Sequence, residues 1–223
     1  MHVNQKIREK NVNKRLQNIK SLVVTLRKDI FGNDNGIDAY SQCSMGFKAH
    51  RFQFNKVLNE SDVLAFEKKF EIELPVEYRS FLLNLGNGGA GPYYGLLPLE
   101  KWDLFLGGCE DDNEAYGMLQ SPCLLRPDLK ERKEEGVTLV RDEACRKGIY
   151  TGWDSYQGTI TICDQGCTYY AVLIINGPYT GRIVNIDTMG QAPRFSPYSS
   201  FLDWYEGWLN KTLNKEKIFW FGC

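Results

Sequence analysis

The chain predicts an α+β fold, and three observations predict it. Apolar residues recur at helical spacing in the N-terminal third and again near the C-terminus. Between those stretches lie three strand-like segments joined by turns too short for any crossover. Length and composition agree: 223 residues, 43% hydrophobic and 25% charged, describe an ordinary globular protein with enough chain for a sizeable core.

The first element is a basic helix. Residues 1–30 carry eight Lys/Arg against two acids, a net of +6, leaving 19 basic against 26 acidic residues in the remainder, a net of −7. Val12, Leu16, Ile19, Val23, Leu26 and Ile30 are spaced 4, 3, 4, 3 and 4 apart and therefore share one face. Such a stripe predicts packing on the main body; the competing readings are a helix for a partner or for a membrane surface. The helix is expected to stop at Gly32–Gly36, where Gly-Asn-Asp-Asn-Gly reads as a turn. A calcium loop aligned there would need acids at Phe31 and Gln42, so no metal is assigned.

A short helix follows over Ser61–Phe70 with Ser61 as its N-cap, then a second opened by Leu74-Pro75, whose inner face is Tyr78, Phe81, Leu82 and Leu85. Asn87-Gly88-Gly89 is expected to end it. Tyr93–Leu99 reads as a strand, Lys101–Arg146 as irregular and polar, and Val137–Val140 as a further strand. Thr159–Cys163 alternates, Asp164-Gln165-Gly166 turns the chain, and Thr168–Ile175 is apolar on both faces, as a central strand would be. Asn176-Gly177-Pro178 turns it again into Arg182–Asp187, so the three strands form an antiparallel meander. Ser200 caps a last helix with Phe201, Trp204, Tyr205, Trp208 and Leu209 on its apolar face and Lys211 near its end.

Several chemistries are disfavoured. Only His2 and His50 are present, which argues against a His-based triad or a multi-His metal site. Seven cysteines make an odd set with one tight pair, Cys163 and Cys167, and read as thiols packed like small apolar groups rather than as a zinc site. Gly86–Gly91 matches GxGxxG letter for letter. A helix precedes it and Pro-Tyr-Tyr-Gly follows it, so the strand-loop-helix setting of a dinucleotide site is missing. No spacing among Asp111, Asp112, Glu114, Asp154 and Asp164 selects a hydrolytic pair. The longest strictly apolar run, Ala171–Ile175, is far short of the ~20 residues of a membrane span. The N-terminus lacks the apolar core of a signal peptide, so a cytoplasmic location is expected.

Three stretches then resemble one family in order: LPVEYRSFLLNLGNGGAGPYYGLLPLE (Leu74–Glu100), GTITICDQGCTYYAVLIINGPYTGRIVNID (Gly158–Asp187) and SFLDWYEGWL (Ser200–Leu209). Together they are similar to the SUKH superfamily, the Smi/Knr-type domain of bacterial toxin-immunity proteins and of a fungal cell-wall regulator. The resemblance covers about Ser61–Leu213 and leaves residues 1–50 outside. It implies a SUKH-like domain over 51–223, preceded by a basic helical extension and linker over 1–50. It further implies no catalysis and a protein partner: a cognate toxin, a nuclease being one kind, that the chain neutralises. No cofactor and no direct nucleic-acid binding are expected, a nucleic-acid role for the basic helix being the weaker reading. A signalling or scaffold adaptor of the same type is the alternative, with the N-terminal helix as an added docking element. The −7 balance suits a partner that itself binds nucleic acid, and is equally an ordinary solubility charge. Candidate contact residues are the acidic loop Asp111, Asp112 and Glu114, the aromatic loop Trp153 and Tyr156, and the rim of the glycine turn, Tyr93 and Tyr94. The aromatic loop reads equally as rings covering a sheet edge.

Overall fold

A computed structural model describes residues 2–41, 46–104, 117–127, 133–134, 137–138, 156–188 and 193–218. Its elements are α1 (His2–Phe31), α2 (Gly36–Tyr40), α3 (Phe47–His50), α4 (Glu60–Phe70), α5 (Val76–Asn84), a 3₁₀ turn (Leu99–Lys101), β1 (Lys133–Glu134), β2 (Val137–Thr138), β3 (Thr159–Gly166), β4 (Tyr169–Ile174), β5 (Ile183–Asp187), β6 (Arg194–Phe195) and α6 (Phe201–Leu213). The class is α+β, with the strands β3-β4-β5-β6 forming an antiparallel sheet in chain order and β1-β2 a separate small hairpin.

The helices cover one face of the sheet. All six residues of the α1 stripe, from Val12 to Ile30, are buried in the same core as Tyr78, Phe81 and Leu82 of α5 and the apolar face of α6. Ile160, Ala171, Leu173 and Ile183 enter that core from the sheet. From the other face, Val172, Ile174, Val184 and Ile186 build a smaller core with Cys123 and Leu125, flanked by Tyr156, Tyr170, Tyr179 and Phe195. β4 is interior and buried on both faces, as its continuous apolar run predicts.

A charged bolt fastens α1 to the body. Arg15 donates to Glu77 of α5 at 3.2 Å and to Asp203 and Glu206 of α6 at 2.6 and 2.8 Å. Glu77 also accepts the Leu202 amide at 2.9 Å, so its second oxygen closes one of the orphan donors at the start of α6. Arg15 is thereby held above the ordinary arginine range, chiefly by its hydrogen bond to Glu206.

Several boundaries differ from expectation. The cap of α4 is Asn59, not Ser61: the Asn59 side chain accepts from the Asp62 amide at 2.8 Å and Asp62 reciprocates, while Ser61 donates back to Asn59. α5 ends at Asn84, ahead of the glycines, which serve the next loop instead. β3 runs on to Gly166 through two register shifts, so the turn falls on Cys167 and Thr168, with Cys167 at a positive φ of 52°. Tyr93–Leu99 is no regular strand; it touches its neighbours through single bridges at Leu96. β6 is a two-residue strand that the sequence reading did not separate from its surroundings.

Candidate protein-binding surface

The surface begins with a loop that only glycine can make. After α5, Gly88 and Gly89 take φ of 87° and 94°, and a Cβ on Gly89 would lie 2.4 Å from the Gln53 carbonyl oxygen. The loop lies flat between residues 53–55 and β3. Gly89 and Leu96 exchange amide-carbonyl bonds at 2.9 and 2.8 Å, Gly89 bridges to Phe54, and Leu96 bridges to Cys163. These bridges continue the sheet sideways from β3 and cover its otherwise open edge.

Asn87 locks the loop. It is buried, donates to both Glu100 oxygens at 3.0 and 2.9 Å, accepts the Leu99 amide at 2.7 Å, and its carbonyl accepts from Asn55. The tip is a turn closed by Gly95 N–H to the Pro92 carbonyl at 2.9 Å. Tyr205 donates to the Ala90 carbonyl at 2.7 Å, and the Cys163 thiol donates to Pro92, so α6 and β3 both hold the loop from inside.

On this frame Tyr93 and Tyr94 are placed differently. Tyr93 takes a positive φ of 51°, uncommon for a bulky residue, and its ring packs half-buried against the core. Tyr94 is 45% exposed, and its amide donates to the Asp164 carbonyl at 3.3 Å. Asp164 pairs across the ladder with Tyr170, whose hydroxyl is pushed up by burial and then by the Asp164 carboxylate. Tyr94, Asp164 and Tyr170 thus meet at one end of the β3–β4 hairpin. Asp164-Gln165-Gly166 has the composition of a turn; the position of Asp164 beside Tyr94 depends on the register shifts in β3, which no local pattern announces.

The other candidates do not join them. Tyr156 sits half-buried on the smaller core ahead of Thr159, and Thr159 donates to its carbonyl. Thr159 and Asp164 lie five residues apart on β3, about 16 Å by strand rise. Asp111, Asp112, Glu114 and Trp153 lie outside the described residues, as does Asp154.

The N-terminal segment backs the tyrosine turn. A Cβ on Gly46 would lie 2.6 Å from the Tyr93 carbonyl oxygen, and His50 packs beneath Gly95. His50 is buried among Phe52 and Trp208, with ring centroids at 5.1 and 6.2 Å. Its Nδ1 accepts the Phe52 amide at 3.0 Å, while Nε2 faces the Gly91 and Tyr93 carbonyls without a hydrogen bond of good geometry. Burial lowers its pKa to about 4, so the ring is neutral at physiological pH.

The arrangement presents exposed side chains on a fixed backbone. Burial pushes the Cys123 thiol up to about 11 and raises Cys163 as well, which keeps both protonated and poor nucleophiles. Among the described residues no group of three or more His, Cys, Asp or Glu side chains is placed to hold a metal ion, and no helix is long and apolar enough to cross a membrane. The exposed feature is a tyrosine on a stiff mount beside an acid. A family profile described as the SMI1 / KNR4 family (SUKH-1) matches residues 58–207, which takes in the loop, the sheet and the start of α6. No curated protein matches the chain.

Proposed function

The chain belongs to the SMI1 / KNR4 family (SUKH-1), and on that premise we propose that it is a non-catalytic immunity protein that binds and neutralises a cognate toxin domain in the cytoplasm. Residues 51–223 act as the family-type domain and residues 1–50 as its basic extension. The observation that carries the reading is Tyr94: a large amphipathic ring, exposed, on a turn whose backbone is fixed by Asn87, Pro92 and Asp164. Ring anchors that lose little freedom on docking are the commonest source of interface affinity. Asp164 beside it supplies an acceptor for a cationic side chain of the partner. Tyr93, Tyr156, Trp153 and the acidic loop of Asp111, Asp112 and Glu114 complete the proposed contact set.

The test is titration of the purified chain with the toxin domain encoded beside its gene. A one-to-one complex at micromolar affinity or better is expected, and Tyr94→Ala weakens it about tenfold or more. Absence of binding at micromolar concentration overturns the immunity reading. An adaptor role in signalling or scaffolding is the second reading, favoured by the helix α1, which precedes the family-matched residues. Under it the chain captures a host protein and leaves the toxin active.

A further inference from the structure

The last turns of α1, the glycine that ends it and the residue after α3 enclose a groove of about 420 Å³ lined by Val24, Arg27, Lys28, Phe31, Gly32 and Arg51. None of these residues falls within the family-matched segment, so the groove stands apart from the toxin-binding reading. Its floor is apolar: Val24 is 47% exposed and Phe31 half-buried. Its rim is cationic, and two of the three cations are held in place by groups that leave their charge uncompensated. The Arg51 guanidinium lies over the Phe31 ring at 4.9 Å, and Arg27 donates to the side-chain oxygen of Gln53.

No carboxylate among the described residues is ion-paired with Arg27, Lys28 or Arg51. Arg15, between three and four turns earlier on the same helix, shows the contrast, since three carboxylates surround it. Residues 10–28 contain no acid at all, and Asp29 sits about 100° round the helix from Lys28. Preorganised, unneutralised cations around an apolar floor are complementary to a carboxylate-bearing segment with an apolar side chain between its charges. We infer that this groove docks an acidic, partly apolar segment of a partner protein.

A nucleic-acid backbone fits less well. Phosphates ask for cations repeated along a track, whereas the outward ridge of α1 carries Gln17, Ser21 and Val24 between Lys14 and Lys28, which helical rise sets about 21 Å apart. Phe31, the aromatic in the groove, already carries Arg51 over its ring, on a face a stacked base would need.

The experiment is fluorescence anisotropy on the full chain with a labelled peptide of glutamates flanking one leucine, its glutamine counterpart, and a labelled DNA duplex. The acidic peptide is expected to bind, and the glutamine peptide and the duplex at least about tenfold more weakly. Lys28→Glu and Arg51→Glu, both at exposed positions, should each reduce peptide affinity about tenfold while melting like the parent. The pair Lys10→Glu/Lys14→Glu, on the same helix but away from the groove, should change it less than about twofold. No binding of the acidic peptide, tighter binding of the duplex, unchanged affinity in both groove variants, or an equal loss in the Lys10/Lys14 variant would each overturn the inference.

Discussion

At the scale of single residues, His50 is the most informative side chain. Its neutral ring fills the space beneath Gly95 and against Trp208, and burial holds its pKa at about 4, below the ordinary 6.5. A base whose folded pKa is depressed binds its proton more readily when unfolded. Its contribution to stability is therefore complete above about pH 6.5 and is lost as pH falls from there toward 4. The shift corresponds to about 3 kcal/mol. His50→Phe removes that dependence, so between pH 6.5 and 4 the variant's melting temperature should fall less than the parent's; parallel acid profiles in thermal melts would refute this. The two-histidine count was legible in the sequence, and so was the case against a His-based site. That His50 supports the tyrosine turn was not, because residues 46–50 and 91–95 are neighbours only in space.

Helix α1 carries the lesson at the scale of elements. Its stripe of six apolar residues predicted a packed face, and Ile19, Leu26 and Ile30 are fully buried. Ile19→Ala should cost about 2–5 kcal/mol, whereas Val24→Ala on the exposed face should cost under about 0.5 kcal/mol. Chemical denaturation of the two variants checks the pair. Because each buried aliphatic side chain contributes about 1.5–3 kcal/mol, the α1 stripe that goes with residues 1–32 is worth about as much as a typical domain's whole margin. The truncated chain should show no cooperative unfolding transition, and a folded truncation would refute the shared core. The element boundaries misread in the sequence share one cause. Ser61 has the chemistry of a cap, but Asn59 is better placed for the reciprocal bond with Asp62. Tyr93–Leu99 has strand-like composition, yet Gly95, at φ 101°, and the loop clamp at Gly89 permit only single bridges. Local propensity loses wherever a tertiary contact supplies the hydrogen bonds.

At the scale of the whole molecule, charge is divided between a basic leading segment and an acidic remainder, +6 over residues 1–30 and −7 beyond. If the acidic side steers a basic partner, association should slow about tenfold between low and physiological salt while dissociation changes little; stopped-flow rates that ignore salt would exclude steering. The sequence by itself determined the class of fold, the order of the meander, the buried stripes of α1 and α6 and the family likeness, because each depends on periodicity or on residues adjacent in the chain. Only the tertiary structure decided which cations are spent and which are free to attract a partner. Arg15 and Arg27 are alike in the chain, but α5 and α6 bring three carboxylates to the first, while Gln53, in the segment after α3, brings only an amide to the second. It likewise put Tyr94 beside Asp164, across 70 residues of chain, because long-range pairing at a sheet edge obeys register and packing rather than any local pattern.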